Sequence, residues 1–249
     1  MDASSPCHGR LPAVILLLHV LLLAGCAGQQ QSRVHDDDPL EPVNRVFYKF
    51  NDVADTYVMR PVAKGYAWLI PAFARTGVNN FFENLTMPRN IVNAFLQGKG
   101  RQGLSDSARL LMNSTLGFGG LLDPATPAGL DRHIEDFGQT LYAWHVPQGP
   151  YLVVPVFGPR TVRHGAGSIV DWLYHPQRLI GPAGVRDKIN ITWIIHTRST
   201  LLGVDEQINR AFDEYSFVRD AYFQNRKFLL YDGQVPEDDL DLDFEDEGI

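Results

Sequence analysis

Proline and glycine interrupt the helical pattern of this chain at short intervals, and that spacing limits the folds open to it. Apolar residues recur with helical periodicity from Pro42 onward, and the pattern stops or bends at Pro61, Pro71, Pro88 and Gly98. A proline inside a helix removes one backbone hydrogen bond and clashes with the preceding turn. The sequence therefore predicts short amphipathic helices, at residues 42–58, 62–70, 73–85, 89–96, 104–116, 161–174, 185–202 and 205–231.

Residues 117–159 have a different composition, because glycine and proline are frequent there and helical spacing is lost. A short β-prone run at Tyr151–Val154 predicts a hairpin or an extended loop, and the prolines around it argue against a large sheet. The expected fold class is therefore mainly α, with a minor hairpin or extended segment.

The N-terminus has the three parts of a bacterial lipoprotein signal peptide, predicted at residues 1–25. Arg10 precedes an apolar run from Leu11 to Leu23, which is shorter than the roughly 20 residues that a spanning helix needs. Leu23-Ala24-Gly25-Cys26 then resembles a lipobox, in which the Cys26 thiol is lipidated. A plain secretory peptide with an incidental cysteine is the alternative. Ala27 favours the outer membrane by the usual sorting rule, and residues 26–37 are expected to form a flexible tether.

The net charge of −7 comes from the C-terminal end of the chain. Eight acids and no base lie between Glu237 and Glu247, so the rest of the protein is close to neutral. Residues 234–249 are therefore predicted to be an acidic disordered tail. Because no basic stripe is present, nucleic acid is not an expected partner.

No catalytic or metal-binding pattern is recognisable, and we expect no catalytic residue, metal or cofactor. Ser168 fails the nucleophile-elbow pattern, because Ala166 and Val170 stand where glycines are required. His133, Glu135 and Asp136 could form an acid–base cluster, but a helix start with polar caps explains them as well.

Short motifs along residues 38–233 resemble those of the MlaA (VacJ) family of outer-membrane lipoproteins. The lipobox agrees with this resemblance independently. The longer matching stretches are DPLE at 38–41, NRVF at 44–47, RPVA at 60–63, NFFENL at 80–85, EDFGQTL at 135–141, GPYLVVP at 149–155 and RDAY at 219–222.

The resemblance implies a single ring-like helical domain over residues 38–233, embedded at the periplasmic side of the outer membrane, with an amphipathic channel. Family members remove mislocalised phospholipid from the outer leaflet and pass it to a soluble periplasmic lipid carrier, which maintains lipid asymmetry. They associate with trimeric porins. No nucleophile is needed for such a passive conduit, since amphipathic helices supply both apolar and polar surface.

Two sets of residues are candidates for this function. Asparagines can cap helices and satisfy buried backbone, or line a polar channel face, and phenylalanines can pack in the core or face the membrane. A candidate gate or hairpin lies where a family glycine is replaced by His145. The candidate channel residues are Asn44, Phe47, Phe50, Asn51, Asn80, Phe81, Phe82 and Asn84, and the candidate gate residues are His145, Pro147, Gly149 and Pro150.

Arg160 and His164 also depart from the family pattern, which tends to have Ser and Asp there. The added positive charge could meet phosphate or acidic lipid sugars, or it could be ordinary surface variation. Two rival functions stay open: a structural, porin-associated lipoprotein without a transport role, and an enzyme acting on phospholipid.

Overall fold

A computed structural model describes residues 38–173, 175–179 and 181–236. The predicted signal peptide, Cys26, the tether at 26–37 and most of the acidic tail lie outside these residues. The described part is mostly helical, and its sheet is one antiparallel hairpin. The predicted mainly α class with a minor hairpin is therefore confirmed.

The first helical segment continues through Pro61 instead of ending before it. Helix α1 (Glu41–Ala54) passes into a π-helical turn (Asp55–Met59) and then into α2 (Arg60–Leu69). Pro61 lies in the first turn of α2, where a missing N–H costs little. The change of hydrogen-bond register in the π turn thus accommodates the proline without a break.

The prediction of two helices separated at Pro88 is wrong. Helix α3 (Ala72–Leu96) is continuous across Pro88, and it packs along α4 (Gly100–Thr115). Its buried face continues on both sides of the proline, through Phe82, Met87 and Ala94. Burial of this face outweighs the one backbone hydrogen bond that the proline removes.

A short helix, α5 (Phe137–Ala143), lies inside the region predicted to be loop. The hairpin follows it as predicted, with β1 (Tyr151–Val154) antiparallel to β2 (Gly158–Thr161). Tyr151 and Val153 of β1 pack with Tyr215 in a small aromatic core. The hairpin is therefore part of the packed interior.

The C-terminal helices are α6 (Val162–Leu173), a 3₁₀ turn (Pro176–Leu179), α7 (Ala183–Thr200), α8 (Asp205–Arg210) and α9 (Glu214–Leu230). A single helix was predicted at 205–231, but the backbone is extended at Ala211 and Asp213. Asp213 forms a two-bond ion pair with Arg45 of α1. This long-range contact fixes the connection between α8 and α9.

Candidate functional site

Polar side chains fill the interior of the described residues, and large apolar side chains cover much of their surface. Nineteen polar or charged residues are buried there, against eight hydrophobic ones. In α1, Asn44 is 1% exposed, whereas Val46 is 66% exposed and Phe50 55%. A surface helix of a water-soluble protein has the opposite arrangement. Extended apolar surfaces of this kind mark contact with a membrane or another apolar partner.

Asn44 joins α1 to the hairpin. Its Nδ2 donates to the Tyr151 carbonyl at 3.0 Å, and its Oδ1 accepts from the Val153 N–H at 2.9 Å. The same amide nitrogen donates to Asp38 at 2.7 Å. One buried side chain thus satisfies two backbone groups of β1 and fixes the start of the described chain.

Asn51 repeats this contact two helical turns further along α1. Its Nδ2 donates to the Val154 carbonyl at 3.1 Å, and its Oδ1 accepts from the Val156 N–H at 2.7 Å. Both asparagines therefore satisfy backbone groups of the hairpin, which is one of the two roles expected for them. Phe47 and Phe50 of the same helix are exposed, and their contact with a membrane stays a prediction.

Asn80 and Asn84 lie in a different part of the structure. Asn80 donates to the Leu121 carbonyl at 3.3 Å, and Asn84 donates to the Ser114 hydroxyl at 3.0 Å. Both line a small polar cleft together with Arg109, Asn113 and Asp123. The carbonyl oxygen of Asn84 is buried there and accepts no hydrogen bond from the described residues.

The two neighbouring phenylalanines have different environments. Phe82 is 3% exposed and packs against Trp193, with ring centroids 4.7 Å apart, and against His196. Phe81 is half-buried and contacts Phe82 edge-to-face at 5.4 Å. The candidate channel residues thus form two groups, one on α1 and one on α3, and a role in lining a channel stays a prediction.

The candidate gate segment, residues 145–150, is held by the start of α6. The backbone N–H of Arg163 donates to the Gln148 carbonyl at 3.0 Å. Nη1 of the Arg163 side chain donates to the Val146 carbonyl at 2.9 Å. These contacts fix the base of the hairpin.

Backbone geometry restricts the same segment. His145 has a φ of 61°, a value more easily adopted by the glycine that the family pattern has there. Gly149 has a φ of 69°, and a Cβ on it would lie 2.9 Å from the Val162 side chain. Val162 also donates to the Pro150 carbonyl at 3.2 Å. Pro147 lies inside this fixed segment, and its gating role stays a prediction.

The turn between β1 and β2 exposes two apolar side chains. Val156 is 80% exposed and Phe157 is 70% exposed. Neither residue was a candidate from the sequence, although two adjacent apolar residues before Gly158 could have indicated an exposed apolar turn.

A buried ion pair connects α5 with α9. Asp136 caps α5 by accepting from the Gln139 N–H at 2.9 Å, and both of its oxygens accept from Arg226, at 2.5 and 3.2 Å. Burial alone would raise the pKa of Asp136, but the Arg226 guanidinium holds that pKa well below its usual value. The carboxylate is therefore ionised, and both of its oxygens accept hydrogen bonds from the protein itself.

A second polar chain runs beside this pair, from Arg160 through His164 to Tyr222. Arg160 Nη1 lies 3.1 Å from His164 Nε2, and His164 Nδ1 lies 3.0 Å from the Tyr222 hydroxyl. Because arginine can only donate, Nε2 must accept, so the histidine is neutral with its proton on Nδ1. Burial is the largest cause that lowers the pKa of His164, and the positive field of Arg226 is the next; together they bring it to about 4.

The chain is similar to a known protein family and to several of its members over most of its length. The family model "MlaA lipoprotein" matches residues 36–229. The chain is 38% identical to the intermembrane phospholipid transport system lipoprotein MlaA of Shigella flexneri and 37% identical to that of Escherichia coli K12, over 91% of each chain in both cases. It is 31% identical to that of Haemophilus influenzae, over 89% of this chain and 91% of the relative.

This chain belongs to the MlaA lipoprotein family.

A solved structure agrees with this membership. It comes from a study of the structural basis for maintenance of bacterial outer membrane lipid asymmetry, and it matches with a TM-score of 0.69 at 38% identity. The match covers 78% of this chain and 98% of the solved one. The described fold is therefore that of the MlaA family.

Within this MlaA-family fold, the residues considered for catalysis take part in structural contacts. The Ser168 hydroxyl donates to the His164 carbonyl at 2.8 Å, and His133 contacts buried Asp106 at 3.0 Å. In the part of the chain that the structure describes, no group of His, Cys, Asp and Glu residues could hold a metal ion, and no helix is long and apolar enough to cross a membrane.

Proposed function

We propose that this protein is the outer-membrane lipoprotein of an intermembrane phospholipid transport system. It removes mislocalised phospholipid from the outer leaflet through an amphipathic channel and so maintains lipid asymmetry. The names of its relatives support this proposal. The observation that carries it is the arrangement of the helices, which keep polar groups inside and apolar side chains outside.

This arrangement suits a passive lipid conduit. A phospholipid has an apolar body and an ionic head group, so its path needs apolar surface beside polar groups. The protein supplies both without a nucleophile, and the Ser168 hydroxyl proton is held by a backbone carbonyl instead of a base. We therefore propose transport without catalysis.

Two further parts of the proposal concern location and partners. The lipid on Cys26 brings the protein to the outer membrane, and the exposed apolar faces of helices such as α1 then insert from the periplasmic side. A trimeric porin is the proposed membrane partner. A soluble periplasmic lipid carrier is the proposed acceptor of the phospholipid.

The proposal is tested in a bacterial strain that lacks its own family member. Expression of the full chain should restore low outer-leaflet phospholipid, and the purified protein should carry phospholipid with it. A structural, porin-associated role would instead give normal porin association with no change in outer-leaflet phospholipid and no bound lipid. Hydrolysis of labelled phospholipid that is lost in Ser168→Ala would favour the enzyme.

A further inference from the structure

Arg160, on β2, is a half-buried arginine whose hydrogen bonds within the described protein go to neutral groups. Its Nη1 lies 3.1 Å from His164 Nε2 and donates to Ser168 Oγ at 3.3 Å. Both partners are on α6, one turn apart, so a single nitrogen fixes the direction of the guanidinium. No carboxylate of the described residues forms an ion pair with it.

Two buried arginines, Arg109 and Arg226, are neutralised by an acid, whereas buried Arg163 donates to the Val146 carbonyl and lies over the Tyr142 ring. Arg109 pairs with Asp123 at 2.5 Å, and Arg226 pairs with Asp136 at 2.5 Å. A guanidinium taken out of water without a counter-charge is costly, so its charge is usually balanced. Arg160 bonds to neither an acid nor a backbone carbonyl of the described residues, so its charge is open to an anion from outside them.

The rest of the Arg160 guanidinium is accessible to such a partner. Its Nε and Nη2 form no hydrogen bond with the described residues, and they are not among the buried atoms that lack one, so they reach the solvent. These two nitrogens form one edge of the guanidinium. That edge can bind two oxygens of a phosphate through parallel hydrogen bonds.

The surroundings favour an anion at this edge. Burial lowers the pKa of neighbouring His164, and the fields of Arg226, Arg160 and Arg89 lower it further, so the histidine is neutral and the charge nearby comes from arginines. Asp136 is the nearby acid, and Arg226 already occupies both of its oxygens.

The start of α6 is not itself the anion site, because protein acceptors already hold its first N–H groups. Val162 donates to Pro150, Arg163 donates to Gln148, and the His164 N–H donates to the Thr161 hydroxyl; these bonds measure 3.2, 3.0 and 3.3 Å. Any anion is therefore bound by the arginine side chain.

We propose that Arg160 binds the phosphate of the transported phospholipid through its Nε–Nη2 edge, with His164 and Ser168 as positioning residues. The site takes a phosphate diester, and inorganic phosphate shares the same chemistry. This inference rests on the proposed transport function and names a residue that recognises the head group.

The test uses the full chain in detergent and measures binding by titration calorimetry. One arm adds the short-chain phosphodiester dihexanoyl-phosphatidylglycerol, and the other adds inorganic phosphate. Arg160→Gln should weaken diester binding about tenfold, the loss expected for charge-assisted hydrogen bonds. Arg160→Lys should give an intermediate affinity, because lysine keeps the positive charge but cannot form the two parallel hydrogen bonds of the guanidinium edge. Arg210→Gln, which removes a surface arginine paired with Glu206, is the matched control and should bind like the wild type.

A second measurement uses the wild-type protein, so it does not depend on the folding of any variant. The Nε–H resonance of Arg160, assigned in protein labelled with ¹⁵N-arginine, should shift when the diester is added. Unchanged affinity in folded Arg160→Gln, or a resonance that does not move, would overturn the proposal.

The two ligand arms separate this proposal from the function on which it rests. Binding of inorganic phosphate at Arg160 without binding of the diester would overturn the lipid as its source. Normal complementation of the deletion strain by an Arg160→Gln protein with unchanged diester affinity would leave the transport function standing and remove Arg160 from it. Failure of the wild type to complement, with the diester still bound at Arg160, would overturn only the transport function.

Discussion

At the scale of single residues, buried amide and guanidinium groups hold this protein together where most proteins use apolar contacts. Asn44 is the clearest case, because its side chain forms the two backbone hydrogen bonds on the edge of β1 that a neighbouring strand would otherwise form. A buried backbone group that loses its partner costs about 1–3 kcal/mol. Individual polar residues should therefore matter to stability as much as large core residues do elsewhere.

Asn44→Ala should lower the free energy of unfolding by about 2–4 kcal/mol, because the Tyr151 carbonyl and the Val153 N–H would stay buried without partners. Denaturant titration in detergent measures the change. Asn80→Ala is the control and should cost under about 1 kcal/mol, because it removes one exposed bond of 3.3 Å. Equal losses in the two variants would contradict the role assigned to Asn44.

The low pKa of His164 predicts a pH dependence of stability. The pKa falls from 6.5 in the unfolded chain to about 4 in the folded protein, so the unfolded state binds more protons between these values. The contribution of neutral His164 to the free energy of unfolding is therefore fully present above pH 6.5, and it is lost as the pH falls toward 4. Burial also lowers the pKa of His175 and His196, so these residues contribute to the same slope.

His164→Asn should reduce the loss of stability between pH 7 and pH 5, a range above that in which the carboxylates are protonated. Thermal unfolding at the two pH values measures the difference, and the imidazole resonances of the wild type report the pKa directly. A His164 ring that titrates near pH 6.5 in the folded protein would refute the assignment.

At the scale of elements, close backbone contact sets how α5 and α6 pack. A Cβ on Gly167 of α6 would lie 2.3 Å from the Gly138 nitrogen of α5, whereas a Cβ on Gly165 would meet nothing nearer than Arg160 Cδ at 4.0 Å. The contact places the Asp136 cap of α5 beside α9. Small residues at one crossing thus determine the position of the buried ion pair.

Gly167→Ala should destabilise the protein by about 1–3 kcal/mol, because the two helices must move apart. Gly165→Ala, on the same helix, should be neutral or stabilising by up to about 1 kcal/mol, since alanine favours a helix over glycine. Melting temperatures of the two variants provide the comparison. A similar melting temperature for both would show that the helix crossing tolerates a methyl group.

At the scale of the whole molecule, the described part exposes apolar side chains that a protein in water would bury. Trp68 is 87% exposed and Phe73 is 81% exposed, at the end of α2 and the start of α3. Burial of such side chains in a bilayer is worth about 1.5–3 kcal/mol each. We therefore expect that membrane attachment does not depend on the proposed lipid of Cys26 alone.

A Cys26→Ala protein should still float with phospholipid vesicles in a density gradient, although its sorting to the outer membrane in cells should fail. Replacing Trp68 and Phe73 by serine in the same protein should reduce flotation, because apolar surface is lost. Recovery of Cys26→Ala entirely in the soluble fraction would show that the acyl chains are the main anchor.

Several features of the fold and of the candidate site could be predicted from the sequence. Helical periodicity indicated a mainly α protein, and the β-prone run at Tyr151–Val154 located the hairpin, because both depend on local patterns. The motif resemblance identified the family. Asn44 and Asn51 were selected as candidates, but the sequence left open whether they satisfy backbone groups or line a channel.

Contacts between distant residues decided the rest. Packing along α4 carries α3 across Pro88, and the Arg45–Asp213 ion pair separates α8 from α9. The unbalanced charge of Arg160 becomes evident only when its neighbours are known. The sequence by itself determined that the protein is mainly helical and where its hairpin lies, since these follow from local composition and periodicity. Only the tertiary structure decided which polar groups are buried together, because that depends on residues far apart in the chain.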